Sequence, residues 1–277
     1  MPRRSRTSDR RARVRVTERD YQLLSFAAEH RLLLASHISV LLDTSLAAAE
    51  ARLRALASDA FLAHQSVFHR QPACWQIRRK GLDAVGSKLP LPRLNLAGYK
   101  HDVGAAWLWL AAQSGTFGPV GEVLGERRMR SHDGARDWHE EPCGVRLGGL
   151  GPRGRERLHY PDLVLVAPGG QRTAFELELT PKGSARRQQI LAGYGVDRRI
   201  DAVLYLVENR VNGRAIGRAI EASARSLGLS ELVHVQCVRP FLSIPGESRS
   251  SATTLGRRSP GRRKRSVKRS PGAEATR

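Results

Sequence analysis

The chain has 277 residues and a formal net charge of +21, from 47 Lys and Arg against 26 Asp and Glu. An excess of that size predicts attraction to polyanions, above all nucleic acid. Its longest apolar run, Ala105-Ala-Trp-Leu-Trp-Leu-Ala-Ala112, is far short of the roughly 20 residues a membrane span needs, and its three scattered cysteines predict neither a disulfide framework nor a zinc ribbon. His132, His139 and Cys143 fall in one Gly-rich stretch, yet their spacing lacks the second matching pair that structural zinc sites carry.

The charge is unevenly placed. Residues 1–15 hold seven Arg and one Asp, and residues 249–277 hold ten Lys or Arg and one Glu. These segments offer almost no apolar surface to bury, so they are expected to act as disordered basic arms. Arg3 and Arg4 are not followed by the apolar stretch of a secretory signal, and the expected location is cytoplasmic.

Between the arms, chain order predicts a winged helix over residues 16–86. Thr17-Glu-Arg-Asp20 reads as a capping box opening a helix that ends near His30. A short helix over 36–42 and a turn at Leu42-Asp43-Thr44 lead to a recognition helix over 45–57. There Leu46, Ala49, Leu53 and Leu56 form the buried stripe, and Ala47, Ala48, Ala51, Arg54 and Ala55 face outward. Small outward residues suit a DNA groove and equally a homodimer contact. Two strands over 60–68 and 73–79 flank the tip His69-Arg-Gln-Pro72, a wing, and Lys80-Gly81 opens a closing helix. Arg52, Arg54, His69, Arg70, Arg78, Arg79 and Lys80 are the expected DNA contacts, chiefly to phosphate. A linker is expected over 87–98, where Ser87-Lys-Leu-Pro-Leu-Pro-Arg93 carries two prolines.

The second half, over 99–242, reads as an α/β domain. A helix over 99–113 with Val103, Ala106, Trp107 and Leu110 on one stripe precedes a strand over 119–130. His159-Tyr-Pro-Asp-Leu-Val-Leu-Val166 and Thr173-Ala-Phe-Glu-Leu-Glu-Leu-Thr-Pro-Lys182 then carry two strands, the first opened by Asp162 and running to Ala167, and the turn Ala167-Pro-Gly-Gly-Gln-Arg172 between them predicts antiparallel pairing. A helix over 184–194, a strand over 200–207, a helix over 212–226 and a strand over 231–238 follow, giving αβββαβαβ with a partly parallel sheet.

Alternation puts Glu176 and Glu178 on one side of their strand and Phe175, Leu177 and Leu179 on the other. Antiparallel pairing brings Asp162 toward the same end. Grouped carboxylates are what Mg²⁺ or Mn²⁺ binds, and such an ion serves phosphodiester hydrolysis. The same acids also fit a solvated strand face paired with Arg172, Lys182, Arg186 and Arg187. Both readings stay open.

At these residues the chain resembles the restriction-endonuclease-like superfamily, whose signature is Pro-Asp, a spacer, then Asp or Glu, any residue, and Lys. Pro161-Asp162 and Glu176-Leu177-Glu178 follow it, except that Glu178 stands where the superfamily has Lys. That departure, with the winged helix, resembles the replication-relaxation family of mobile genetic elements. The resemblance implies Asp162 and Glu176 as metal carboxylates, with Glu178 auxiliary or a replacement for the lost Lys. Lys182 can swing back into the site from the following turn or serve as a surface lysine at the strand end, and Gln188 or Gln189 with Tyr194 resemble the Gln and Tyr that accompany such sites, though their loose spacing fits core and surface roles better. The expectation is a protein acting on double-stranded plasmid or mobile-element DNA with replication or transfer proteins, its nuclease-like site active or degenerate. The alternative is a winged-helix transcriptional regulator with a non-catalytic scaffold domain.

Overall fold

A computed structural model of the chain describes residues 14–240, apart from Trp138. Both expected basic arms fall almost wholly outside the described residues. The fold mixes helices and sheets throughout, as the sequence predicts.

The first layer is a winged helix-turn-helix. Its helices are α1 (Glu18–Glu29), α2 (Ala35–Leu41) and α3 (Leu46–Ser58), followed by α4 (Arg79–Ala84). Its three short strands, β1 (Leu33–Leu34), β2 (Leu62–Gln65) and β3 (Cys74–Ile77), pair antiparallel in the order β1-β3-β2. α1 starts as predicted, because the Asp20 carboxylate accepts the Thr17 backbone N–H at 2.7 Å. α3 is opened by Ser45, whose hydroxyl accepts the Ala48 N–H at 3.2 Å. On α3 the buried stripe is Ala49, Leu53 and Leu56, whereas Leu46, predicted as its first member, is exposed on the opening turn.

The second layer begins with α5 (Tyr99–Gln113), apolar on nearly every side, a pattern that marks a helix buried all round. Ala106 and Leu110 pack into the winged-helix core with Leu23, Phe26 and Trp75. Leu108 and Ala112 pack with Leu163, Phe175 and Leu177 on the central sheet. The stripe that the sequence marks out on this helix, Val103 to Leu110, is thus largely its winged-helix face. The two halves share a helix between their cores, and the described residues belong to one compact unit.

The central sheet runs β10-β9-β8-β7-β4, with β4 (Glu122–Gly125), β7 (Leu163–Val166), β8 (Arg172–Glu178), β9 (Ala202–Glu208) and β10 (Val233–Val238). β4, β7 and β8 pair antiparallel, whereas β8, β9 and β10 run parallel. The helical crossovers α7 (Ser184–Val196) and α8 (Val211–Ser226) make the parallel register possible. They cover the face opposite α5, where Leu191, Tyr194, Ile216 and Ile220 meet Ala174, Val203 and Tyr205. The αβββαβαβ order therefore holds, with two departures. The strand expected over 119–130 stops at Gly125, and residues Glu126–Ala135 form α6. Only Met129 of that helix is buried, and Glu126 pairs with Arg130 one turn on, a polar surface pattern no sheet would hold. The second is an inserted hairpin, β5 (Val145–Leu150) with β6 (Glu156–His159). It lies against α7 at Gly193, where a Cβ would meet the Arg146 carbonyl at 2.9 Å, so glycine is required there.

Candidate functional site

β7 and β8 deliver the predicted acids, and the hairpin and helices supply partners for them. Asp162 sits just before β7; one oxygen accepts the Leu177 N–H at 2.7 Å, and the other lies 3.1 Å from Nε2 of His101 on α5. Glu176 and Glu178 point together to the α7 and α8 side of the sheet, as alternation predicts. They do not face water: Glu176 is 3% exposed and Glu178 5%.

Burial of a carboxylate demands partners, and each is present. The Tyr194 hydroxyl on α7 donates to Glu176 Oε1 at 2.5 Å, and Nε2 of His159, the last residue of β6, lies 2.5 Å from the same oxygen. Burial pushes the Glu176 carboxyl up, but the charges and hydrogen bonds of His159, Lys182 and Tyr194 outweigh it and hold the carboxyl below its ordinary range. Lys182 bonds directly to Glu178 from the turn after β8. Burial nevertheless leaves Glu178 above the usual glutamate value. The Lys182 ammonium is pulled down by burial and raised further by Glu176, Glu178 and Asp162 together, so the lysine absent from the strand returns to the acids four residues later.

His101 shows the same balance. Burial pulls it down, while the hydrogen bond and charge of Asp162, with Asp102 and Glu126 behind, push it up to about 9. Arg31, two residues past the end of α1, bridges Asp102 at 3.2 Å and Glu126 at 2.8 Å, and the Glu126 N–H donates to the Asp162 carbonyl at 3.2 Å. An ion-pair chain therefore links the winged helix to the acid-bearing strand.

These partners decide how the acids fit Mg²⁺ or Mn²⁺, ions that take open carboxylate oxygens and keep several waters. Glu176 is enclosed and doubly hydrogen-bonded, and Asp162 and Glu178 each hold a cation. The three carboxylates are not among the sets of three ligand atoms within 4.8 Å of one another; among the described residues that geometry belongs to His132, Asp133 and Cys143. In this arrangement the acids present ion pairs rather than a ligand set for a hydrated ion.

His159, His101 and Tyr194 are the partners that matter here. Tyr194 is legible from the resemblance, and His159 stands three residues before Asp162 within the same motif, though nothing in the spacing says that it turns onto β8. His101 carries no sequence signal. Gln188 is exposed on α7, and Gln189 bonds Arg157 and Arg186 rather than the acids.

The expected DNA contacts divide in two. Arg52 turns inward: its guanidinium bonds Asp20 at 2.6 and 2.5 Å, and Asp20 is 1% exposed. Arg54 pairs with Glu50 at 2.9 Å, and Lys80 pairs with Asp59 at 2.9 Å and lies over the Phe61 ring. His69, Arg70, Arg78 and Arg79 are exposed on the wing and its base and hold no carboxylate partner among the described residues. Arg70, at the tip, takes a φ of 60°.

No protein-family model and no curated protein matches the chain. Among solved structures, a double mutant of ZitR from Lactococcus lactis is similar to part of it, at 19% identity and a TM-score of 0.24. The match covers 26% of this chain and 50% of that chain, so it spans half of ZitR. No helix among the described residues is long and apolar enough to cross a membrane.

Proposed function

We propose that the protein binds double-stranded DNA through the wing and α3 of its winged helix, acting on plasmid or other mobile-element DNA in the manner of the replication-relaxation family. The nuclease-like half serves as a degenerate scaffold. The observation that carries this reading is a contrast in charge use: the site acids are each held by a protein partner, while His69, Arg70, Arg78 and Arg79 are exposed with no carboxylate partner among the described residues. Exposed guanidinium groups on a wing suit phosphate contact.

A second reading, a working nuclease, is favoured by one feature. Lys182 lies in the field of all three acids, where a cation suits developing phosphate charge. Supercoiled plasmid incubated with the protein and Mg²⁺ or Mn²⁺, beside the Asp162→Asn variant, separates the two. The proposed function predicts a gel shift with the plasmid left supercoiled; nicking that disappears in Asp162→Asn establishes the nuclease instead.

A further inference from the structure

Away from the acid cluster, the end of α6 and the loop entering β5 bring three side chains of metal-binding type together. The Sγ of Cys143 lies 3.5 Å from Nδ1 of His132, and that nitrogen lies 3.3 Å from Oδ1 of Asp133. In a tetrahedral zinc site, with Zn–S of about 2.3 Å and Zn–N and Zn–O of about 2.0 to 2.2 Å, the edges between ligand atoms come to about 3.6 Å for sulfur to nitrogen and about 3.4 Å for nitrogen to oxygen. The two observed separations are close to those edges, and all three ligand atoms lie within 4.8 Å of one another.

We propose that His132, Asp133 and Cys143 bind a zinc-type divalent ion, with imidazole Nδ1, carboxylate and thiolate as three protein ligands and water as the fourth. Binding releases the thiol proton to solvent as the sulfur–metal bond forms. The donor set selects the metal: a thiolate beside an imidazole suits zinc or cobalt and is foreign to Mg²⁺. The outer shell is built as well. Asp133 has a side chain only 2% exposed, held by the N–H groups of Cys143 at 2.7 Å and Gly144 at 2.9 Å and by the Tyr160 hydroxyl. Such contacts orient a ligating carboxylate. A nucleophilic relay is the competing use of Cys, His and Asp, and the geometry opposes it. A relay needs one ring nitrogen on the thiol and the other on the acid, whereas here the single Nδ1 faces both.

The ion would join α6 to the inserted hairpin. Arg199 already grips the same loop through the carbonyls of Pro142 and Gly144, and the hairpin ends in His159 on Glu176. Metal at its root would therefore fix the element that closes the acid cluster.

The test uses the purified full chain, stripped of metal and titrated with Co²⁺. The expected result is a near-ultraviolet thiolate-to-cobalt band saturating at one equivalent and bleached by Zn²⁺. Cys143→Ser removes the band, His132→Ala weakens binding at least about a hundredfold, and Cys237→Ser leaves both unchanged. Zn²⁺ raises the melting temperature of the wild type but not of Cys143→Ser. Absence of the band, or a band that survives Cys143→Ser, overturns the site; neither result bears on DNA binding by the wing.

Discussion

At the scale of single residues, the acid cluster is a set of buried charges with matched partners, and its pH behaviour follows from that. The His101 value is raised from 6.5 to about 9. A base whose folded value is raised contributes stability that is complete below its unfolded value and is lost as pH rises through the folded one. The midpoint of chemical denaturation should therefore fall as pH is taken from 7 past about 9, and the His101→Gln variant should be flatter over that interval; identical profiles would remove His101 from the account. Tyr194→Phe tests the Glu176 contact. It deletes one of two partners of a fully enclosed carboxylate and should cost about 1 to 3 kcal/mol in equilibrium unfolding, with the helical content of α7 retained. A loss of under a few tenths would mean that His159 alone satisfies Glu176.

At the scale of elements, the periodic segments are legible in the sequence and the others are not. β7, β9 and α8 are legible to within two residues at each end, because the continuous apolar runs Leu163–Val166 and Ala202–Val207 and an apolar stripe along Val211–Ser226 leave little choice. The β5 and β6 hairpin has no such signal: Gly148 and Gly149 take positive φ and its side chains are largely exposed. α6 carries no start signal, because Gly125, the last residue of β4, is also its N-cap and offers no capping side chain. For the site, alternation correctly paired Glu176 with Glu178, but Phe-Glu-Leu-Glu-Leu reads the same whether the acids meet water or buried partners. The partners come from Tyr194, His159 and His101 on three other elements, which spacing along β8 cannot reveal. Arg52 shows a related limit: as a basic residue on α3 it suits phosphate, yet its guanidinium is held by Asp20 on α1. Because Asp20 is buried, Arg52→Ala should destabilise the fold by about 3 kcal/mol, and pairing it with Asp20→Asn should recover part of that loss. Full stability in Arg52→Ala, measured by thermal unfolding, would return Arg52 to the DNA-binding face.

At the scale of the whole molecule, charge is divided by use. Of the +21 total, the 1–15 segment contributes 7 − 1 = +6 and the 249–277 segment 10 − 1 = +9, leaving 21 − 6 − 9 = +6 for everything between. Within that middle portion many cations are spent internally, on Asp20, Glu178, Asp102 and Asp197. His69, Arg70, Arg78 and Arg79 on the wing and its base have no carboxylate partner among the described residues, and Arg31 ties the layer that carries them to the α/β half through α5 and α6. The most direct test of the central claim is the affinity for a labelled duplex measured over a range of salt concentrations, for the wild type and for Arg70→Ala, Arg78→Ala and Arg79→Ala combined. Each phosphate contact contributes about one unit to the slope of log affinity against log salt. DNA contact through the wing gives weaker binding with a slope reduced by roughly three units in the triple variant; an unchanged affinity and slope would exclude that contact.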